Sequence, residues 1–325
     1  MPDKFNKVIV IGDACVDLHI KFSDIVQVTK VKEMPFHMCL GGTSGGTSVA
    51  LAQLGVENAL LGTIGNDYGG RFLLDEFKRC GIDSSMLIVK DDLNTVEVFC
   101  FIDETGERHL WAFPRVDQAY MYLDTDCIDI EKIKSASWLH SSGMNFLNKG
   151  NNAEVIPELF RIAYEANVPT SFDLNTRVED LSLLRPEAVE GIRKTIPYVR
   201  YLTGSAKDEF VSFYPCDDYR DSLRHFASKD TAVIARLGKE GFYVIYDGME
   251  KSCPSYEVEA VNTTGAGDNF NAAFIKGILQ GKDVYEASLY ANAVSGYVIS
   301  RKDRNYSLDE NEIDSFINNT KLRNS

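Results

Sequence analysis

The chain runs to 325 residues, 44% of them hydrophobic and 25% charged, with a formal net charge of −14. That composition predicts a globular protein with a large core, long enough for one big α/β domain or two ordinary ones. The negative balance excludes a nucleic-acid-binding face, which needs clustered Lys and Arg, and leaves small anions as ligands of a local cradle.

Residues 1–7 are polar, and no later stretch is long and apolar enough to span a bilayer, so a cytoplasmic protein with no membrane partner is expected. Residues 8–12 form a short apolar run closed by glycine, which predicts a strand buried on both faces of a parallel sheet. Asp13 and Asp17 follow, and residues leaving the carboxyl end of such a strand face the ligand crevice of open α/β sheets. Asp13 also suits a simple turn. Asp17 sits in an alternating segment, residues 16–20, whose polar face could present carboxylate oxygens to a polyol.

Residues 40–48, rich in glycine, run into a helical pattern ending at Gly55, so backbone N–H groups at a helix start are predicted there. The loop fits neither the P-loop nor the dinucleotide pattern. Residues 59–62 read as the next strand, and residues 65–70 as its turn into a helix ending at Gly81. Between residues 86 and 113 the texture changes to period two, with strands over 96–102 and 107–113 around a turn at 103–106. With residues 14–39 these predict a small antiparallel sheet serving as a lid. The α/β rhythm then resumes, with strands over 138–142, 169–173, 198–203, 232–237, 241–246 and 255–261 and helices near 152–166, 183–193 and 219–227. Helices near 267–280, 284–301 and 309–319 finish the chain.

The seven cysteines form no C-x-x-C pair and the five histidines no paired-ligand spacing, so reduced thiols and no transition metal are expected. Residues 261–268, Val-Asn-Thr-Thr-Gly-Ala-Gly-Asp, carry the densest chemistry. A glycine turn opening a helix offers free N–H groups and partial positive charge, a cradle for phosphate or a developing oxyanion. Asp268 at its end is either a first-turn cap or a base placed to take a proton from an attacking hydroxyl.

With Asp17, the Gly41-Gly42 loop and Thr263 to Asp268 on the page, nearly the whole chain resembles the ribokinase (PfkB) family of carbohydrate kinases. The resemblance implies a single ribokinase-like α/β domain over residues 1–325, a central mostly parallel sheet flanked by helices, and a small antiparallel β lid from about residues 14–39 and 86–115. It implies an ATP- and Mg2+-dependent kinase acting on a primary hydroxyl of a monosaccharide, a ketohexose such as fructose or a pentose such as ribose. Asp268 would be the general base, and the backbone of Gly265, Ala266 and Gly267 the anion hole. Asp17, Gly41 and Gly42 would take the sugar hydroxyls, with Gly46 standing where the family carries an asparagine, and Arg115 would sit near the sugar. Arg236, Gly238, Gly241, Thr264 and Asn292 would line the nucleotide groove. Ser205 and Asp208 replace the family's N-x-x-E segment, with Asp208 holding Mg2+ through water. Asn262 and Asp303 replace residues that border a K+ site in relatives that need that ion. A nucleoside kinase, its base held by Phe36, Phe99, Phe101 and Trp111, or a sugar-binding protein without catalysis, are the alternatives. A homodimer through the lid, with Val96, Val98 and Cys100 on the pairing side, is also implied.

Overall fold

A computed structural model describes residues 5–21, 37–102, 108–261, 263–301 and 308–324. Thirteen strands are described: β1 (Val8–Ile11), β2 (Cys15–Lys21), β3 (His37–Gly41), β4 (Asn58–Gly65), β5 (Leu87–Lys90), β6 (Glu97–Ile102), β7 (Arg108–Phe113), β8 (Trp138–Ser142), β9 (Thr170–Asp173), β10 (Tyr201–Ser205), β11 (Ala232–Arg236), β12 (Phe242–Tyr246) and β13 (Met249–Cys253). The helices of five residues or more are α1 (Thr43–Gln53), α2 (Tyr68–Cys80), α3 (Ile130–Lys134), α4 (Asn152–Glu165), α5 (Pro186–Thr195), α6 (Tyr219–Phe226), α7 (Ala266–Leu279), α8 (Val284–Ile299) and α9 (Glu310–Asn319), apart from one π-helical turn at Ala206–Phe210.

Nine strands make one sheet in the order β13-β12-β11-β10-β9-β8-β1-β4-β5. It is parallel from β11 through to β5, and β12 and β13 extend it antiparallel. Successive residues of β1 point to opposite faces, and both faces are covered. Ile9 and Ile11 enter the core beneath α4 and α5, with Phe160 and Ile192. Val8 and Val10 enter the core beneath α1, α2, α7 and α8, with Leu51, Phe77, Phe274 and Val294. This two-sided burial is why β1 reads as an unbroken apolar run.

The smaller sheet, β3-β2-β6-β7, is the one expected to serve as a lid. It is antiparallel at its two outer pairings, while β2 and β6 run parallel. Asp67 ties it to the main body, because one carboxylate oxygen caps α2 at Gly70 and the other accepts from the Thr95 N–H just before β6, at 2.7 and 2.8 Å.

Two expectations change. Residues 87–90, placed with the lid, pair parallel with β4 as the edge of the main sheet, where Ile88 is buried while Val89 faces outward. The strand expected over 255–261 is replaced by β13, which follows β12 through a two-residue turn. Asp247 and Gly248 both have positive φ, 49° and 71°, which is the type I′ geometry that closes a hairpin at once. The turn at 103–106 lies outside the described residues. Among the described residues no helix is long and apolar enough to cross a membrane, and all seven cysteines are free thiols.

Candidate active site

Chain connections leave β1 toward β4 on one side and reach β8 on the other, so the crevice at the carboxyl end of β1 is the topological switch point of the sheet. Asp13 lies there, buried. Its carboxylate accepts from the Thr43 N–H (2.8 Å), the Thr43 hydroxyl (2.7 Å) and the Ser44 N–H (3.0 Å). Asn145 fixes it in turn, accepting from the Asp13 N–H at 2.9 Å. Asp13 is therefore more than a turn residue: it caps α1 from another element. The donors expected at this glycine loop are largely taken, because the Gly45 N–H also goes to the Asp13 carbonyl and the Gly46 N–H to Gly42. What the loop supplies is closeness. A Cβ on Gly41 would stand 2.3 Å from an Asp17 oxygen, and one on Gly42 2.8 Å from the Asp13 carbonyl.

The other glycine turn is different. Gly265 begins α7 in the left-handed conformation, φ 77°, and no side chain caps the helix there. The Ala266 N–H reaches back to the Thr263 carbonyl at a long 3.3 Å, and a helix start of this kind offers the N–H groups of its first turn to an anion. Arg236 lies beneath: its guanidinium carbon is 3.7 Å from the point a Cβ on Gly267 would occupy. Asp173, buried at the end of β9, holds that guanidinium with two bonds of 2.7 and 2.9 Å, and Asn271 of α7 donates to the same carboxylate at 2.7 Å. A fixed cation and a helix N-terminus therefore converge on residues 265–267.

Asp268 lies half-buried in the first turn of α7. Burial first, then the charges of Asp173 and Asp13, push its carboxyl up to about 8, and Arg177 and Arg236 pull it partly back. Gly46 of α1 faces it, and a Cβ there would come 3.0 Å from the carboxylate. A larger side chain at 46 would crowd the Asp268 carboxylate in this chain, which gives the missing asparagine a steric reason.

The remaining expected residues divide. Asp17 stands on the lid face that meets Gly41. Gly238 and Gly241, at φ 58° and 96°, shape the turn between β11 and β12, with open space at Gly238. Asn292 donates to the Pro254 carbonyl at 3.0 Å, so it braces the segment after β13. Thr264 and Arg115 are exposed. Arg236 was expected on the nucleotide loop, and its fork is committed to Asp173 instead.

Asp208 is exposed and accepts from the Ser205 hydroxyl at 2.6 Å, whereas the buried carboxylate of this segment is Glu209, which accepts from the Ser205 N–H at 2.8 Å. Both carboxylates lie within the π-helical turn Ala206–Phe210, a departure from α-helical geometry that often marks functional segments. Burial and then Asp173 raise Glu209 above the ordinary carboxylate range. Asn262, Asp303 and Phe36 lie outside the described residues.

Register corrects the expected base slot. Asp17 pairs with Val98 and Leu18 with Phe99, while Phe99 pairs with Trp111. Phe99, Phe101 and Trp111 therefore occupy the face opposite Asp17. Val96 and Cys100, expected on a pairing surface, are buried on the inner side, and Val98 packs toward Tyr120 and Met121. Sequence reasoning passed over Arg177, Asp173 and Glu209. Only Asp173 carried a legible signal, the same strand-end position that singled out Asp13.

Residues 6–311 match the model of the pfkB family carbohydrate kinase. The 5-dehydro-2-deoxygluconokinase of Bacillus subtilis is 26% identical over 92% of this chain and 91% of its own. Among solved structures, the aminoimidazole riboside kinase of Salmonella enterica, complexed with aminoimidazole riboside and an ATP analog, has a TM-score of 0.76 at 25% identity, covering 96% of this chain and 100% of that one. The fructokinase of Xylella fastidiosa with bound ATP shares the fold, with a TM-score of 0.80 at 19% identity over 96% of this chain and 98% of that one.

Proposed function

The chain belongs to the pfkB family of carbohydrate kinases, and on that premise we propose that it transfers the terminal phosphoryl group of ATP to a primary hydroxyl of a monosaccharide, a ketohexose or a pentose. The observation that carries this reading is Asp268 beside an uncapped helix start with Arg236 beneath it. Phosphoryl transfer needs positioning and charge stabilisation more than covalent chemistry, and these groups supply both.

The residues fit the nucleotide. ATP would supply the electrophilic phosphoryl group, and the N–H groups of residues 265–267 would hold it. The turn from Gly238 to Gly241 would line the nucleotide groove, and Glu209 or Asp208 would hold water on Mg2+, an ion that keeps most of its own waters. Asp17 would accept from sugar hydroxyls under the lid. Asp268 would take the proton of the attacking hydroxyl, which requires its ionised form; the positive charges of Arg177 and Arg236 favour that form.

A sugar bearing an anionic group is the second reading. Arg177 is exposed, with positive φ, close enough to Asp268 for its charge to act there, and the Bacillus subtilis relative is named for a sugar acid. Nucleosides are less favoured, because the expected aromatic slot faces away from Asp17.

ATP consumption with ketohexoses, pentoses, sugar acids and nucleosides separates the readings by the substrate with the highest kcat/KM. Sugar binding by calorimetry without ATP consumption for any polyol would replace the kinase by a binding protein. We further propose that two copies pair through the outer lid face, where Trp111 and Phe113 are 52% and 54% exposed.

A further inference from the structure

Strand pairing gathers metal-competent side chains on the inner face of the lid. Asp17 and His19 alternate onto that face of β2, and the antiparallel register sets Cys39 opposite Asp17 and His37 opposite His19. A carboxylate oxygen of Asp17, a ring nitrogen of His19 and the sulfur of Cys39 all lie within 4.8 Å of one another, each side chain half-buried. Donors bound to one tetrahedral ion at about 2.0–2.3 Å stand about 3.3–3.8 Å apart, so side-chain rotation of roughly an ångström closes the set while the ladder holds the backbone still.

We infer that the lid binds one thiophilic divalent cation of the Zn2+ class through Asp17, His19 and Cys39, with its fourth position open toward the crevice. Thiolate, imidazole and carboxylate together suit zinc, whereas Mg2+ prefers an all-oxygen, largely hydrated shell. Binding releases the Cys39 thiol proton to solvent and forms the metal–sulfur bond without any change of oxidation state. The site is distinct from the phosphoryl cradle at residues 265–268. One consequence rests on the sugar kinase reading: an Asp17 carboxylate bound to the ion cannot accept two sugar hydroxyls, so the ion acts as an inhibitor competitive with sugar.

The test uses full-length protein stripped with a chelator, titrated with Zn2+ in a calorimeter and with Co2+ in a spectrophotometer. One equivalent should bind, with a thiolate-to-cobalt charge-transfer band and the visible bands of four-coordinate cobalt. Cys39→Ser and His19→Gln should each weaken binding by about tenfold or more, since even outer ligand partners matter that much. Cys127→Ser, an exposed thiol elsewhere, should leave it unchanged, and unaltered thermal melting of the variants shows that they fold. Absence of the thiolate band, or binding that survives both lid substitutions, overturns the site. In the kinase assay with excess Mg2+, Zn2+ should raise the sugar KM of the wild type but not of Cys39→Ser. Metal binding with an unmoved KM leaves the ion site standing and removes Asp17 from the sugar site; a working kinase without metal binding removes the ion site alone.

Discussion

Asp268 carries a conflict between stability and chemistry that can be measured. Its carboxyl, pushed up to about 8, ionises in the unfolded chain near the ordinary value of about 3.9. The folded state therefore holds the proton more tightly, and stability present at low pH is lost as the pH rises through about 8. Asp268→Asn removes that ionisation. The variant should melt higher than the wild type, by a margin that widens between pH 5 and pH 9 in scanning calorimetry. The same substitution should lower kcat by about 10³-fold, a typical contribution of general base catalysis. In the wild type, kcat/KM should climb with pH and level off above about 8; a flat profile would remove Asp268 from the proton-transfer step. Gly46→Ala probes the neighbouring space: its Cβ, 3.0 Å from the carboxylate, should depress kcat while leaving the fold intact by circular dichroism.

Elements are joined here by buried charges rather than by apolar packing alone. Asp173 of β9, Arg236 of β11 and Asn271 of α7 form one network under the cradle. Arg236→Met leaves Asp173 buried without its partner and should destabilise the protein by about 3–5 kcal/mol in urea unfolding, whereas Asp173→Leu with Arg236→Met should recover much of that loss. Activity should not return with it, because the cation beneath residues 265–267 is still gone. At the other helix start, Asp13→Ala removes the cap of α1 and should weaken the protein by about 1–2 kcal/mol, with faster amide exchange at Thr43 and Ser44 as the local readout.

Across the whole molecule, a nine-stranded sheet carries the proposed phosphoryl site and a second, four-stranded sheet stands as the proposed lid. The lid has two unlike faces, since alternate residues of each strand point opposite ways. Its inner face carries Asp17, His19 and Cys39, and its outer face carries Phe99, Trp111 and Phe113 in ring contact at centroid distances of 5.9 and 6.5 Å. A dimer through that outer face should dissociate when Trp111 is changed to Ser, read as halved mass in sedimentation equilibrium with the melting profile of the monomer preserved. Retention of the dimer would move the pairing surface elsewhere.

Local chemistry made much of this protein legible before its structure. Residues 8–11 are apolar throughout because a parallel strand is covered on both faces, and glycines at 265 and 267 announce a helix start that a phosphate can approach. Period-two texture separated most of the lid, although it lost residues 87–90 to the main sheet. The Asp247-Gly248 turn was present in the sequence as a hairpin signal, and overlooking it misplaced β13. Other features are not local. Asp173 and Arg236 are 63 positions apart, and only the parallel order of β9, β10 and β11 brings them together. Which glycine turn remains open to an anion depends on Asp13 reaching α1 across a 30-residue separation. Whether an aromatic or a thiol shares the face of Asp17 depends on register in the small sheet, where a shift of one residue exchanges the two faces. Composition and periodicity determine which strands and helices form; pairing across the chain decides which charges, donors and thiols meet.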